Sequence, residues 1–392
     1  MRISSVVNSI KPSGIRRFFD LAEKDPDVIS LGVGEPDFVT PEVILQAAQK
    51  SIDEGFTHYT SNDGMFLLRE KISKYLKTKF GLEYKPETEM IITVGASEAV
   101  DVALTTLVSP GDEVLIPEPC FVSYGPCTQL CGGKAVFVPT SAENDFKLTV
   151  DQLEKYVTSK TRVLFISYPN NPTGAIMEKN DLEPIADFVI KHDLAVISDE
   201  IYGELTYGKK HFSIASLPGM KERTFFIGGF SKSFAMTGWR IGFLCGPNDV
   251  IQAARKIHQY RIMCPPTISQ VAAIAAIDKG ELDARRMVDE YERRRRVICS
   301  GFKDIGLELS EPKGAFYVFP SIQKTGLSSE EFAENLIIKS KVAVVPGNAF
   351  GPSGEGFVRC SYATSLETIY EALNRIDDFL SHIKPRKAGS QS

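Results

Sequence analysis

The stretch RVLFISYPNNPTG (Arg162–Gly174) begins as an apolar run and ends in a loop of Pro, Asn and Gly. Val163, Leu164, Phe165 and Ile166 leave no polar face, so the run reads as a strand covered on both sides. Beyond it, Asn180 with Glu183 three residues on reads as a capping box that opens a helix. The face of that helix expected in the core is Leu182, Ile185, Ala186 and Val189. A second apolar run, Ala195–Ser198, follows. Strand, helix and strand in that order form the repeating unit of a parallel sheet.

The same alternation extends in both directions. Met90–Val94 and Val114–Ile116 read as strands. Between them Val100, Ala103, Leu104 and Leu107 fall on one helical face, and Pro110-Gly111-Asp112 ends it. Thr224–Ile227 reads as another buried strand. The C-terminal third differs. A long charged helix is expected from about Asp283 to Lys303, then strand-like Gly314–Pro320 and Val342–Val345. Pro312-Lys313-Gly314 and Pro346-Gly347-Asn348 read as turns, and the polar, basic tail Lys384–Ser392 is expected to fray. The expected fold class is α/β, a large domain with a mostly parallel sheet plus a smaller α+β domain.

Composition narrows the function without naming it. With 392 residues, 43% hydrophobic and 24% charged, the chain can bury a substantial core. Lys plus Arg number 45 against 50 Asp plus Glu, a net charge of −5, which speaks against a nucleic-acid partner or an anionic membrane. The longest wholly apolar run, Val271–Ile277, falls far short of the roughly 20 residues that span a bilayer. No apolar signal segment precedes Pro12, so a cytoplasmic location is expected. The seven cysteines are odd in number and scattered, and read as reduced thiols incidental to the chemistry. Cys127 and Cys131 have no further ligands beside them, and no metal is expected.

Several motifs fail on inspection. Gly32-Val33-Gly34 starts like a dinucleotide fingerprint, but its sixth position is Asp37. Gly203 to Lys210 imitates a phosphate loop, yet Lys210 stands where Ser or Thr would hold magnesium. Arg293–Arg296, on a helix with Asp289, Glu290 and Glu292, reads as a solvated face laced with ion pairs.

The informative residues lie where strands end, which is where open parallel sheets bind ligands. Met90–Val94 runs into Gly95-Ala96-Ser97 at a helix start, a place for a phosphate. Arg162–Ser167 runs into the PNNPTG loop, Ala195–Ser198 into Asp199 and Tyr202, and Thr224–Ile227 into GGFSKSF with Ser231 and Lys232. Arg240 follows eight residues after Lys232. A lysine for an aldehyde, a carboxylate for a basic ring nitrogen and an anion cup with an arginine are the needs of pyridoxal phosphate.

The segments GVGEPDFVTP (Gly32–Pro41), SYPNNPTG (Ser167–Gly174), SDEIYGELTY (Ser198–Tyr207), FSKSFAMTGWRIGF (Phe230–Phe243) and VRCSYATS (Val358–Ser365) resemble class I/II pyridoxal-phosphate aminotransferases of fold type I. The similarity runs from about Ser13 to Leu380 and is nearest in look to a bacterial aminotransferase A and aspartate–aromatic branch. The resemblance implies Lys232 as the Schiff-base lysine and Asp199 as the pyridinium partner. Asn171 and Tyr202 match the groups that bond the ring 3-hydroxyl. Lys232, Asp199 and Tyr202 are the expected catalytic residues. Ala96, Ser97, Ser231 and Arg240 match the phosphate cup, and Phe121 the stacking ring. Arg359 matches the holder of the substrate α-carboxylate, with Asn171 and Gly34 also at the substrate. Tyr59 matches a tyrosine that reaches the neighbouring subunit's phosphate, implying a homodimer with shared sites. Lys256–Cys264 is expected to shape the side-chain pocket from the partner subunit.

One departure is Gly229, where many relatives carry a hydroxyl residue. The implied reaction is ping-pong transamination between an L-amino acid and a 2-oxo acid such as 2-oxoglutarate. Aromatic or acetyl-diaminopimelate donors lead, aspartate is the alternative, and β-elimination on the same fold ranks lower. On this reading residues 1–13 form an arm, 14–46 and 284–384 the small domain, 47–283 the large cofactor domain and 385–392 the tail.

Overall fold

The computed structural model describes residues 1–12, 14 and 25–383. The expected start of similarity at Ser13 and the expected frayed tail lie outside the described residues. Seven strands form the large sheet: β1 (Met90–Thr93), β2 (Glu113–Glu118), β3 (Lys134–Pro139), β4 (Thr161–Ser167), β5 (Ala195–Asp199), β6 (Thr224–Gly229) and β7 (Gly242–Cys245). Their order is β1-β7-β6-β5-β4-β2-β3. Every pairing from β6 across to β3 is parallel, while β7 runs antiparallel to both its neighbours. The fold is thus α/β with a mostly parallel sheet. β1 consequently points the same way as β6, and the carboxyl ends of β1, β4, β5 and β6 share one edge.

Alternate residues explain why these strands are apolar throughout. In β4, Val163 and Phe165 pack into a cluster with Ala99, Ala103 and Leu104 of the helix Gly95–Leu107. Leu164 and Ile166 pack on the opposite face with Leu182, Ile185 and Val189. Both faces are covered by helices, as doubly buried strands require. The helix carrying those last three residues spans Lys179–Lys191 and begins one residue earlier than expected. Its N-cap is Glu178, whose N–H donates to Asp181 Oδ2 at 2.8 Å. Asp181, not Glu183, therefore completes the capping box, because it stands three residues after the true cap.

The C-terminal part builds smaller sheets. Tyr317–Val318, Val358–Ser361 and Val345–Pro346 form an antiparallel three-stranded sheet with Val358–Ser361 in the middle. Val342–Ala343 pairs in parallel with Ile29–Ser30 near the N-terminus. The expected single strand Val342–Val345 thus divides between two sheets. Gly314–Pro320 narrows to Tyr317–Val318, because Ala315 at φ 56° leaves the extended region. Pro346-Gly347-Asn348 leads into a short 3₁₀ helix, Gly347–Phe350.

The long helix spans Glu281–Asp304, and its arginine run is not the solvated face expected. Arg294 is buried, donating to Asp37 Oδ1 at 2.7 Å and Glu290 Oε1 at 3.0 Å. Arg295 is largely buried and reaches Glu292, Glu311 and the Pro312 carbonyl. Only Arg293 and Arg296 project into solvent. Arg294 stands on the same face as Tyr291 and Ile298, which are in the core, so the guanidinium enters the interior and needs its carboxylates there. Its ion pair ties the Gly32–Pro41 loop to this helix. Among the described residues no helix is long and apolar enough to cross a membrane.

Candidate active site

A cavity of about 380 Å³ opens at the shared carboxyl edge of the large sheet. Gly34, Ala96, Ser97, Phe121, Asn171, Asp199, Tyr202, Ser231, Lys232, Arg240 and Arg359 all line it, while Tyr59 and the stretch Lys256–Cys264 do not. Tyr59 is 79% exposed and lies outside the cavity of its own chain.

One end of the cavity is built for an anion. The helix Gly95–Leu107 follows β1 directly and points the N–H groups of its first turn, at Ala96 and Ser97, toward it. Because β7 is antiparallel, its amino end meets this edge, and Arg240 sits two residues before it. Arg240 Nη1 donates to the Thr237 carbonyl at 2.9 Å, and no carboxylate pairs with it among the described residues. The approach is close. A Cβ at Gly95 (φ +68°) would stand 2.7 Å from Arg240 Nη2, and one at Gly242 only 2.9 Å from the Ala96 nitrogen. Ser231 is buried in the same wall.

Lys232 lies three residues past the end of β6, and its Nζ donates to the Gly34 carbonyl at 2.8 Å. Burial, opposed by Glu35, pulls the ammonium down to about 8. Gly34 has no room for a side chain, since a Cβ there would meet the Tyr317 hydroxyl at 2.4 Å. Tyr317 shares a 2.8 Å hydrogen bond with the Tyr202 hydroxyl, and burial holds both phenols above the ordinary range.

Asp199 ends β5, almost wholly buried. Burial pushes its carboxyl up to about 6, against the Tyr124 hydroxyl and the Ile201 N–H, which favour the charged form. Arg359 sits in the middle strand of the three-stranded sheet and is buried. Its Nη1 donates to Asn171 Oδ1 at 2.9 Å and its Nη2 to the Gly32 carbonyl at 2.5 Å, while Nε finds no protein acceptor. The guanidinium stacks on Tyr317 at 4.5 Å and Phe350 at 4.9 Å.

The sequence reading missed Tyr124, Ser167, Thr237 and Tyr317 as wall residues. Tyr124 stands three positions after Phe121, and Ser167 just before the PNNPTG loop, so a helical step and a strand end were the available signals. Cys127, one turn past Ser123, also faces the cavity, so this thiol is part of the wall rather than remote from it. Burial raises its pKa, keeping it a neutral thiol. At Gly229 a Cβ would lie 2.9 Å from Ile201 Cδ1 and 3.2 Å from Gly242 Cα, which accounts for the missing hydroxyl residue.

The arrangement places an anion cup, a lysine with a depressed pKa, a buried carboxylate and a buried unpaired arginine around one chamber. Together they suit a phosphate ester bearing an aldehyde and a basic ring nitrogen, alongside a second, carboxylate-bearing molecule. Comparison with known proteins agrees. An aromatic-amino-acid aminotransferase of Thermococcus litoralis is 49% identical over 98% of this chain and 100% of its own length. An aspartate aminotransferase of Pyrococcus abyssi is likewise 49% identical, over 98% of this chain and 100% of its own. The crystal structure of an aromatic aminotransferase from Pyrococcus horikoshii superposes with a TM-score of 0.89 at 49% identity, covering 93% of this chain and 98% of that one. Residues 26–376 match the family "Aminotransferase class I and II". The chain belongs to that family, and is a pyridoxal-phosphate-dependent aminotransferase.

Proposed function

We propose that this aminotransferase takes the amino group of an aromatic or acetyl-diaminopimelate-type L-amino acid and passes it to 2-oxoglutarate or a related 2-oxo acid. Aspartate is the alternative donor. The observation that carries the reading is Arg359, a buried guanidinium held by neutral acceptors with its Nε unmet. A buried cation without a counterion is costly, so the site is set for an incoming carboxylate. That carboxylate is the substrate's α-carboxylate, which Arg359 and Asn171 orient near Gly34 and Lys232.

Pyridoxal phosphate, when bound, supplies an aldehyde for the amino group and a ring that spreads the electron pair released at the substrate Cα. Ala96, Ser97, Ser231 and Arg240 would hold its phosphate, Phe121 would stack on its ring, and Asp199 would face the ring nitrogen. Asn171 and Tyr202 would bond its 3-hydroxyl. Lys232 acts through Nζ. Its lowered pKa leaves free amine near neutral pH, able to take the proton from Cα and return it elsewhere. The Gly34 carbonyl accepts a hydrogen bond from that nitrogen.

Charge supports an aromatic donor over aspartate or acetyl-diaminopimelate, each of which carries a second carboxylate. The cations of the cavity wall are Lys232, Arg240 and Arg359, and each already has a task. The rest of the wall includes Val100, Phe121, Ile201 and Tyr317, which suit an apolar side chain. A distal carboxylate would need a cation from a second subunit. The proposal includes that subunit, as a homodimer in which Tyr59 serves the partner's phosphate and Lys256–Cys264 shapes the partner's pocket. The exposure of Tyr59 at 79% and Tyr260 at 88% supports it. The division into a large domain at 47–283 and a small domain at 14–46 plus 284–384, and a cytoplasmic location, belong to the same proposal.

Initial rates for phenylalanine, tyrosine, acetyl-diaminopimelate and aspartate against 2-oxoglutarate test the substrate class. The expected order puts phenylalanine and tyrosine ahead of aspartate in kcat/KM. Aspartate in first place would overturn it.

A further inference from the structure

The hydroxyl of Tyr124 donates to Asp199 Oδ2 at 2.9 Å, and both side chains are buried. The other carboxylate oxygen, Oδ1, accepts the Ile201 N–H at 3.2 Å. Asp199 has no salt-bridge partner among the described residues. Its neighbours in charge are Glu200, which opposes ionisation, and Lys232, which favours it. Ser167, the register partner of Asp199 across β4 and β5, has its side chain at the Tyr124 hydroxyl as well. The Tyr124 ring is fixed by Phe165 at 4.2 Å and Phe121 at 5.7 Å between centroids. The phenol therefore cannot swing away, and burial beside a carboxylate keeps it protonated, with its O–H available to that carboxylate.

We propose that Tyr124 is a positioning residue for the reaction, its hydroxyl holding the Asp199 carboxylate in place and ionised for the cofactor's ring nitrogen. This rests on the reading of Asp199 given above. A carboxylate shut away from water is stable as an anion only where donors replace the lost hydration. Here those donors are Tyr124 and one backbone N–H. Ser167 lines the same cavity beside the phenol, at the end of β4. Phe121, expected to cover the cofactor ring, also packs edge-on against Tyr124. The clamp and the stacking surface are thus one packed unit.

The test is Tyr124→Phe, which keeps the ring packing and removes only the donor. Cofactor-free protein is titrated with pyridoxal phosphate from pH 6 to pH 9, and affinity is read as a ratio to wild type. Losing the donor raises the pKa of Asp199, so the defect is largest at low pH and shrinks as pH rises. About a tenfold loss is expected at pH 6, the scale of one hydrogen bond to a charged group. The visible band of the bound cofactor should shift with the same pH dependence. In an Asp199→Asn background Tyr124→Phe should add nothing. Ser167→Ala should give a smaller defect of the same shape, and carries the test if Tyr124→Phe fails to fold. A wild-type affinity, a loss independent of pH, or a loss additive with Asp199→Asn overturns the proposal. If Asp199→Asn alone binds like wild type, the reading of Asp199 falls first, and this inference with it.

Discussion

At the scale of single residues, the site works by burying charges that water would otherwise satisfy. Asp199 and Lys232 are moved toward neutrality by the same desolvation, the acid upward and the base downward. Lys232 carries a pH prediction. Its amine titrates near 8, below the usual lysine value, so the reactive free base appears at lower pH. Cofactor-free protein mixed with pyridoxal phosphate should capture the aldehyde about tenfold faster per pH unit below 8 and level off above it. Stopped-flow absorbance checks this; a rate still climbing past pH 10 would mean an ordinary, solvated lysine. Many of these residues could be recognised in the sequence because each follows a strand end in a short motif. Thr237 and Tyr317 could not, since their roles come from contacts with Glu35 and Tyr202 that only the folded chain creates, and for Tyr124 only its spacing from Phe121 hints at the contact with Asp199.

At the scale of elements, the antiparallel strand β7 decides the anion cup. Its direction brings Arg240 to the edge where the parallel strands end, beside the helix Gly95–Leu107. Gly242 makes this possible, because a Cβ there would stand 2.8 Å from the Gly95 carbonyl carbon. Gly242→Ala should push strand and helix apart at a cost of about 1–3 kcal/mol, typical of overpacking. Both melting temperature and cofactor affinity should fall, read by thermal denaturation and titration. Unchanged cofactor affinity would show that the close approach does not shape the cup. Strands β1, β2, β4, β5 and β6 could be read from sequence as compact apolar runs buried on both faces. β3 could not, since it is an edge strand with exposed residues at Lys134, Phe137 and Pro139. β7 begins inside the TGWRIGF stretch, where the motif draws attention away from the strand. The two-residue strands near the C-terminus are too short for any period to show.

At the scale of the whole molecule, the exposed Tyr59 is the residue the single chain leaves unused. If the sites are shared, Lys232 of one subunit works with Tyr59 of the other. Tyr59→Ala and Lys232→Ala homodimers should each be impaired. A hybrid with one of each should recover about half of wild-type activity, because one of its two sites is then complete. Mixed refolding with differently tagged chains provides the measurement. No recovery in the purified hybrid would place Tyr59 outside the partner's site. Arg294 gives the chain a second long-range tie, joining the Gly32–Pro41 loop to the helix Glu281–Asp304 through Asp37. The N-terminal loop that carries Gly34 is therefore braced from the C-terminal part of the chain. That bracing was hidden in the sequence, where an arginine run beside acids looks like any solvated helix face.

The central claim is that Lys232 is the residue to which the cofactor is joined. Borohydride reduction of the cofactor-loaded protein, followed by peptide mass spectrometry, tests it most directly. The account predicts one phosphopyridoxyl adduct, on the peptide containing Lys232. An adduct on a different lysine, or none with turnover intact, would contradict it.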